Sequence, residues 1–302
     1  MDHQAAIEIL SGRAKGPGPA ALRTVLSAAS IPYSATMRLR RWLYRRGVLP
    51  SHEAPVPVIC VGNLTTGGTG KTPMVAWVVQ RLEEAGRAPA ILTRGYRSVE
   101  GVSDEAQLLR DLTDRPVVVE PDRVAGAAEA AELGANVVVM DDGFQHLRLR
   151  RDLDIVLIDA TNPFGFGRCL PRGLLREGKW ALRDAGAVVL THTEAVSREV
   201  AHGLRARLKL LAPHASVHLA AHRPVRVIDG EGRPQDLAVL PGMKAMAFCG
   251  IGSPATFFGM LHNLGVRLAE TVALDDHVAY GRQELADLVR RAREADVKAL
   301  IT

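Results

Sequence analysis

The chain has 302 residues, 47% of them hydrophobic and 24% charged, with a formal net charge of +5. That composition builds a full core and excludes a largely disordered chain. The charge is uneven. Residues 1–50 hold eight basic side chains and two acidic ones, a net of +6, whereas residues 51–302 hold 30 basic against 31 acidic. Basicity confined to one N-terminal segment argues against a nucleic-acid surface spread over the body and for a local docking element.

No apolar run reaches the roughly 18 residues that span a bilayer. The start, MDHQAAIEILSGRAKG, lacks the charged-then-apolar order of a secretory signal. Cys60, Cys169 and Cys249 are widely separated and make neither a zinc spacing nor a complete disulfide set. A reducing, cytosolic setting is the expectation.

Residues 20–47 read as helix with a break near Pro32. Leu22, Val25, Leu26, Met37, Leu39, Trp42 and Leu43 give it apolar character, and Arg38, Arg40, Arg41, Arg45 and Arg46 cluster beside Trp42 and Tyr44. This is the composition of a helix lying on a membrane surface. A helix packed on the body with a solvated basic face has the same composition.

From Pro55 onward, apolar strands alternate with helices. VPVICVG (56–62) is a strand, followed by a helix at 72–85. APAILT (88–93), a helix at 104–112, PVVVE (116–120), a helix at 123–133, NVVVM (136–140) and DIVLID (154–159) follow. Further on come AGAVVLT (185–191), a helix at about 194–211, SVHLA (216–220) and VRVIDG (225–230). The last block holds KAMAFCGIG (244–252), a helix from Pro254, VRLAETVAL (266–274), a helix at 281–294 and VKALIT (297–302). Val/Ile/Leu strands that do not alternate, separated by helices, predict an α/β fold with a parallel sheet covered on both faces. A soft boundary falls near 225–242. It gives three parts: an N-terminal segment (1–50), a core (51–225) and a smaller C-terminal lobe (226–302).

The strongest local signal is GNLTTGGTGKTP, Gly62 to Pro73, between a buried strand and a helix. Backbone N–H groups and a helix N-terminus there face an anion together. Gly67, Gly68, Thr69, Gly70, Lys71 and Thr72 would cradle a nucleotide, Lys71 reaching the outer phosphates and the Thr72 hydroxyl a Mg²⁺ ion. The first glycine of the strict phosphate-loop pattern is replaced by Thr65, which leaves the G-G-x-G-K-T variant. Only six lysines occur in the chain, so one at this spot is not compositional noise. A phosphate loop needs carboxylates at the ends of neighbouring strands. Asp141 and Asp142 supply two and Asp159 another. Adjacent like charges leading into Gly-Phe-Gln-His imply cations nearby.

Taken together, GNLTTGGTGKTP, RGY (94–96), SDE (103–105), DDGFQH (141–146), RDLDIVLIDA (151–160), LPRGLLRE (170–177), FCGIGSPATFF (248–258) and DDHVAY (275–280) resemble, in order, the tetraacyldisaccharide 4'-kinases. The resemblance runs from about residue 20 to the end. It implies a phosphate-loop kinase core with a smaller lobe and an N-terminal helix docked on a bilayer. The activity implied is transfer of the γ-phosphate of ATP, with Mg²⁺, to the 4'-hydroxyl of a lipid A disaccharide 1-phosphate. The implied location is the cytoplasmic face of the bacterial inner membrane. The proposed base of the family falls on Asp104 and a neighbouring acidic position on Glu105, while a histidine that works with the base falls on His277. Asp141 and Asp142 match an acidic pair near the metal, and Arg123, Gln145, His146 and Glu177 match polar positions around the site. The plainer alternatives are that Asp104 caps the helix it begins and that His277 is a structural histidine.

This sequence departs from the family pattern at Thr66, where an apolar residue is usual, and at Val278, where a second histidine is frequent. It ends at Ala-Leu-Ile-Thr, where the family carries a further segment, so the C-terminal lobe is expected to be shortened. The competing reading is a phosphate-loop ATPase switch of the partitioning or metal-insertion type. Such switches carry a lysine where this chain has Thr66. A guanine-reading segment would need Lys and Asp where LTHTEA (190–195) has neither. Neither a nucleic acid nor an obligate protein partner is expected. Each basic group near an anionic membrane contributes about 1 kcal/mol, so the five arginines between 38 and 46 are the expected anchor.

Overall fold

The computed structural model describes residues 3–95, 104–251, 254–274 and 281–302. The chain divides into two compact units, Met1–Ala221 and His222–Thr302.

The first unit opens with helices α1 (His3–Ser11) and α2 (Pro17–Arg45). Proline in the first turn starts α2 without losing a bond the helix would otherwise make. Gly47 closes it in a left-handed conformation at φ 70°, its N–H on the Tyr44 carbonyl. The expected break at Pro32 does not occur. Pro32 forgoes one backbone bond, but it and Ala28, whose carbonyl is thereby freed, lie on the exposed side. On the inward side, Ser30 and Tyr33 hold the flanking turns through Ser30 Oγ to the Ser27 carbonyl and Tyr33 Oη to the Arg176 carbonyl.

Then follow β1 (Val58–Asn63), α3 (Lys71–Glu84), β2 (Pro89–Thr93), α4 (Asp104–Thr113), β3 (Val117–Val119), α5 (Arg123–Glu132), β4 (Val137–Asp141), β5 (Leu153–Asp159), β6 (Ala187–Thr191), α6 (Arg198–Leu211) and β7 (Ser216–Leu219). The seven strands form one sheet in the order β3-β2-β4-β1-β5-β6-β7, every pair parallel. Both faces are buried, as their unalternating composition requires. Val58, Cys60, Val138, Met140, Val156 and Ile158 pack on one side, and Val61, Val139, Ile155 and Leu157 on the other. Each such aliphatic side chain, fully buried, contributes about 1.5–3 kcal/mol. β1 lies between β4 and β5, so the loop leaving its C-terminal end sits where open parallel sheets bind ligands.

The second unit carries a hairpin of β8 (Val227–Ile228) and β9 (Pro234–Gln235). A three-stranded parallel sheet follows, β11 (Arg267–Ala273), β10 (Lys244–Cys249) and β12 (Ala299–Ile301) in that order, with α7 (Pro254–Asn263) and α8 (Arg282–Glu294). The three cysteines are free and buried.

The anchor expected of five arginines is corrected by their contacts. Arg41 is only 1% exposed and is bound to Glu177, Asp184 and the Phe144 carbonyl. Arg40 donates to the Gln145 carbonyl, and Arg45 pairs with Asp184. Arg41, buried, cannot also face a membrane, and Arg40 is half-buried, whereas Arg45 stays exposed with its charge committed to Asp184. Arg38 and Arg46 remain outward, beside Val25, Ile31, Leu39 and Trp42, each of which is about half exposed or more. Among the described residues, no helix is long and apolar enough to cross a membrane.

Candidate active site

The loop from Leu64 to Gly70 joins β1 to α3. Glycine is needed where it turns: Gly67 has φ 117° and Gly70, immediately before α3, has φ 80°. Its neighbours fix it by hydrogen bonds. Thr66 N–H donates to the Leu174 carbonyl at 2.8 Å and Arg176 N–H to the Leu64 carbonyl at 2.7 Å, so the LPRGLLRE segment pairs with the loop. Asn63 Nδ2 donates to Thr69 Oγ1 at 2.9 Å, Thr191 Oγ1 to the Thr69 carbonyl at 3.0 Å, and Gln145 Nε2 to the Asn63 carbonyl at 2.8 Å. Lys71 and Thr72 begin α3. The loop amides, the helix N-terminus and Lys71 together make an anion cradle.

DDGFQH lies beside it. Asp141 ends β4, and Asp142 has a left-handed backbone at φ 49°, its N–H on the Val61 carbonyl at 2.9 Å. Gly62 of β1 lets the segment approach: a Cβ there would lie 2.7 Å from Phe144 Cβ and 2.9 Å from its backbone nitrogen. Asp142 is paired with Arg176, and Lys71 Nζ lies 3.9 Å from its Oδ1. Asp141 is 1% exposed and its Oδ1 has no hydrogen-bond partner among the described residues. Burial first, then repulsion from Glu105, push its carboxyl up to about 7, against the pull of Lys71 and Arg123.

Glu105, on α4, therefore faces Asp141. Arg123 begins α5, is buried, donates to the Glu120 carbonyl and is held electrostatically by Asp141 and Asp142. His146 is pushed down to about 4 by burial, then by Arg123, Arg151 and Arg40, so its ring is neutral. Lys71, Asp141, Asp142, Glu105 and Arg123 thus converge at the strand ends. Glu177 instead reaches α2, where its fully buried carboxylate binds Arg41. Asp159 is bound to Thr161 and His192. Asp104 is the first residue of α4, but its side chain lies outside what the structure describes, and His277 lies outside the described residues.

The acidic pair suits a Mg²⁺ ion. A buried carboxylate oxygen without a partner, beside a second carboxylate and an anion cradle, is the donor set of a cation that also takes phosphate oxygens and water. Mg²⁺ is typically held by one or two protein carboxylates in this way.

Two groups carry no signal as site residues in the sequence. Arg176 sits in LPRGLLRE but has no assigned chemistry there. Asn63, which ties β1 to Thr69, reads only as the start of a turn.

Comparison with known proteins supplies the family. The sequence profile described as tetraacyldisaccharide-1-P 4'-kinase matches residues 22–302. The chain belongs to the tetraacyldisaccharide 4'-kinase family. Curated relatives carrying that name include a Geobacter metallireducens protein, 40% identical over 92% of this chain and 86% of its own length. An Anaeromyxobacter protein (strain K) is 39% identical over 95% of this chain and 81% of its own length. Among solved structures, Aquifex aeolicus LpxK, crystallised in complex with ATP, matches with a TM-score of 0.69 at 30% identity, covering 86% of this chain and 84% of that one. Membership of this family sets aside the ATPase-switch reading.

Proposed function

We infer that this chain is an ATP-dependent kinase that phosphorylates the 4'-hydroxyl of a tetraacylated glucosamine disaccharide 1-phosphate. The family supports this, and so does one observation above all: Lys71, at the cradle where α3 starts, lies beside Asp142 and the buried Asp141, whose Oδ1 has no hydrogen-bond partner among the described residues. The core then corresponds to about residues 51–225 and the smaller lobe to 226–302.

Phosphoryl transfer is mostly positioning and charge neutralisation. The loop amides and Lys71 hold the outer phosphates of ATP. Thr72 and the acidic pair, with Glu105 nearby, would hold Mg²⁺, which when bound neutralises charge on the phosphates. A sugar hydroxyl must lose its proton as its oxygen attacks, and Asp104, where the family's base falls, is the group proposed to accept it. Arg123 holds the acidic pair electrostatically, and Gln145 holds β1 to DDGFQH.

The acceptor arrives from a membrane. The outward stripe of α2, with Val25, Ile31, Leu39, Trp42, Arg38 and Arg46, has the chemistry of an anionic membrane surface. A cleft of about 580 Å³ lies between α2 and residues 167–180, lined by Arg38, Arg168 and Lys179 together with Ile31, Leu175 and Trp180. Cations beside apolar walls suit a phosphorylated, acylated sugar. The peripheral placement at the cytoplasmic face of the inner membrane follows from this reading.

The test is transfer of labelled phosphate from ATP to tetraacyldisaccharide 1-phosphate. Wild type should label the acceptor and Lys71→Ala should not. Asp104→Ala and His277→Ala should each lose turnover while remaining folded. Rapid ATP hydrolysis that ignores the acceptor would overturn the reading in favour of a switch.

A further inference from the structure

Asp142 holds two cations at once. Arg176 Nη1 contacts both of its carboxylate oxygens, at 2.9 and 2.8 Å, and Lys71 Nζ lies 3.9 Å from the same Oδ1. The Arg176 backbone is fixed to the phosphate loop. Its N–H donates to the Leu64 carbonyl at 2.7 Å and its carbonyl accepts from Tyr33 Oη at 3.0 Å. Its head group is not fixed in the same way: Arg176 is 27% exposed and Asp142 33%. An ion pair this open to water contributes about 0–1 kcal/mol. It therefore adds little to the fold and is easily exchanged for a stronger anion.

We propose that Arg176 is a further phosphate-binding residue, held on Asp142 until ATP enters the loop and then transferred to the γ-phosphate. The γ-phosphate carries more charge than a carboxylate and offers three oxygens, and the planar guanidinium matches two of them. Lys71 faces the same carboxylate, so both cations lie on the side from which the phosphates are approached. In the reaction, the acceptor hydroxyl oxygen bonds to the γ-phosphorus. The bond from that phosphorus to the β–γ bridging oxygen breaks, the electron pair leaves with ADP, and the hydroxyl proton passes to the base. Arg176 changes none of this balance. It neutralises the charge spread over the equatorial oxygens, as an arginine supplied from the enzyme's own chain does in other phosphate-loop proteins.

This rests on the phosphate loop being the ATP site, and the experiment separates the two. Equilibrium dialysis with labelled ATP and labelled ADP is run on the full chain as wild type, Arg176→Ala, Arg176→Lys and Lys71→Ala, with thermal unfolding as a check on each. Arg176→Ala should weaken ATP about tenfold or more and ADP less than about twofold, because only ATP has the third phosphate. Its kcat should fall by about 10²-fold or more, with partial recovery in Arg176→Lys. Equal changes for the two nucleotides, or no change for either, would overturn the proposal. Should Arg176→Ala not fold, Arg176→Lys keeps a cation on Asp142 but loses the planar fork, and the same ATP-to-ADP difference decides. If Lys71→Ala binds both nucleotides as wild type does, it is the location of the ATP site that fails.

Discussion

Arg41 and Glu177 form an ion pair with both side chains at 1% exposure or less, Arg41 Nε lying 3.3 Å from Glu177 Oε1 and Nη2 2.5 Å from Oε2. Arg41 Nη2 also donates to the Phe144 carbonyl at 3.0 Å, and its guanidinium lies 4.6 Å from the centre of the Phe144 ring. One side chain of α2 thus grips both the segment that follows the acidic pair and the segment that carries Arg176. Removing one partner of a buried pair strands the other charge, which costs about 3–5 kcal/mol. Arg41→Ala should lower stability by that order in urea unfolding. Arg41→Met with Glu177→Gln leaves no buried charge and should cost clearly less. Equal losses in the single and double variants would show that packing, not the stranded carboxylate, dominates.

Gly62→Ala probes the contact between β1 and DDGFQH. The added methyl would meet Phe144 Cβ at 2.7 Å and its backbone nitrogen at 2.9 Å, so a flexible side-chain tip cannot absorb it. The strand or the DDGFQH turn must shift, and overpacking of this kind costs about 1–3 kcal/mol. The shift falls between the phosphate loop and Asp142, so ATP binding should weaken as well. Unchanged stability together with unchanged ATP affinity in dialysis would show that the contact relaxes freely.

Much of this was legible in the sequence, for identifiable reasons. Runs such as Val137–Asp141 and Leu153–Asp159 do not alternate, which fits only a strand covered on both faces. The loop before Lys71 carries glycine where the backbone is left-handed, at Gly67 and Gly70. The pairing of Arg41 was not legible. Its partner lies 136 residues away, and an arginine among arginines on an amphipathic helix reads as solvated. The continuity of α2 through Pro32 was hidden for a similar reason, since contacts of the flanking turns with the body outweigh the lost backbone bond. Arg176 stood in a quoted motif, but its role depends on pairing with Asp142, which spacing alone does not reveal.

The Asp141 carboxyl sets a pH dependence. Burial raises it from the ordinary 3.8 to about 7, so between these values the folded chain binds more protons than the unfolded chain. The stability contributed by this group is therefore present at low pH and falls as pH rises through about 7. Asp141→Asn cannot ionise. Without nucleotide or metal it should unfold at a higher temperature than wild type near pH 8, with the difference vanishing near about pH 4. A cation at this site must displace the proton, so the Mg²⁺ concentration needed for activity should rise as pH drops below about 7. Melting curves across this range check the first, and the Mg²⁺ dependence of phosphate transfer at each pH checks the second. A wild type–Asn difference that does not vary with pH would place the titration elsewhere.

The outward face of α2 should carry membrane attachment independently of the fold. Val25, Ile31, Leu39 and Trp42 are 64%, 68%, 56% and 49% exposed, with Arg38 and Arg46 beside them, whereas Ser30, Tyr33 and Arg41 point inward. Replacing Val25, Leu39 and Trp42 by serine removes exposed apolar area that a membrane would bury, at about 25 cal/mol per Å². Stability should move little, since each is a surface change of about ±0.5 kcal/mol. Flotation with vesicles containing anionic lipid should lose most of the bound protein. Arg38→Glu with Arg46→Glu should lose binding that is sensitive to salt, about 1 kcal/mol for each positive charge removed. Arg45→Gln, which removes a cation already committed to Asp184, should lose much less. If Arg45→Gln matched the Arg38 and Arg46 variants in vesicle binding, attachment would follow total charge and not the outward face.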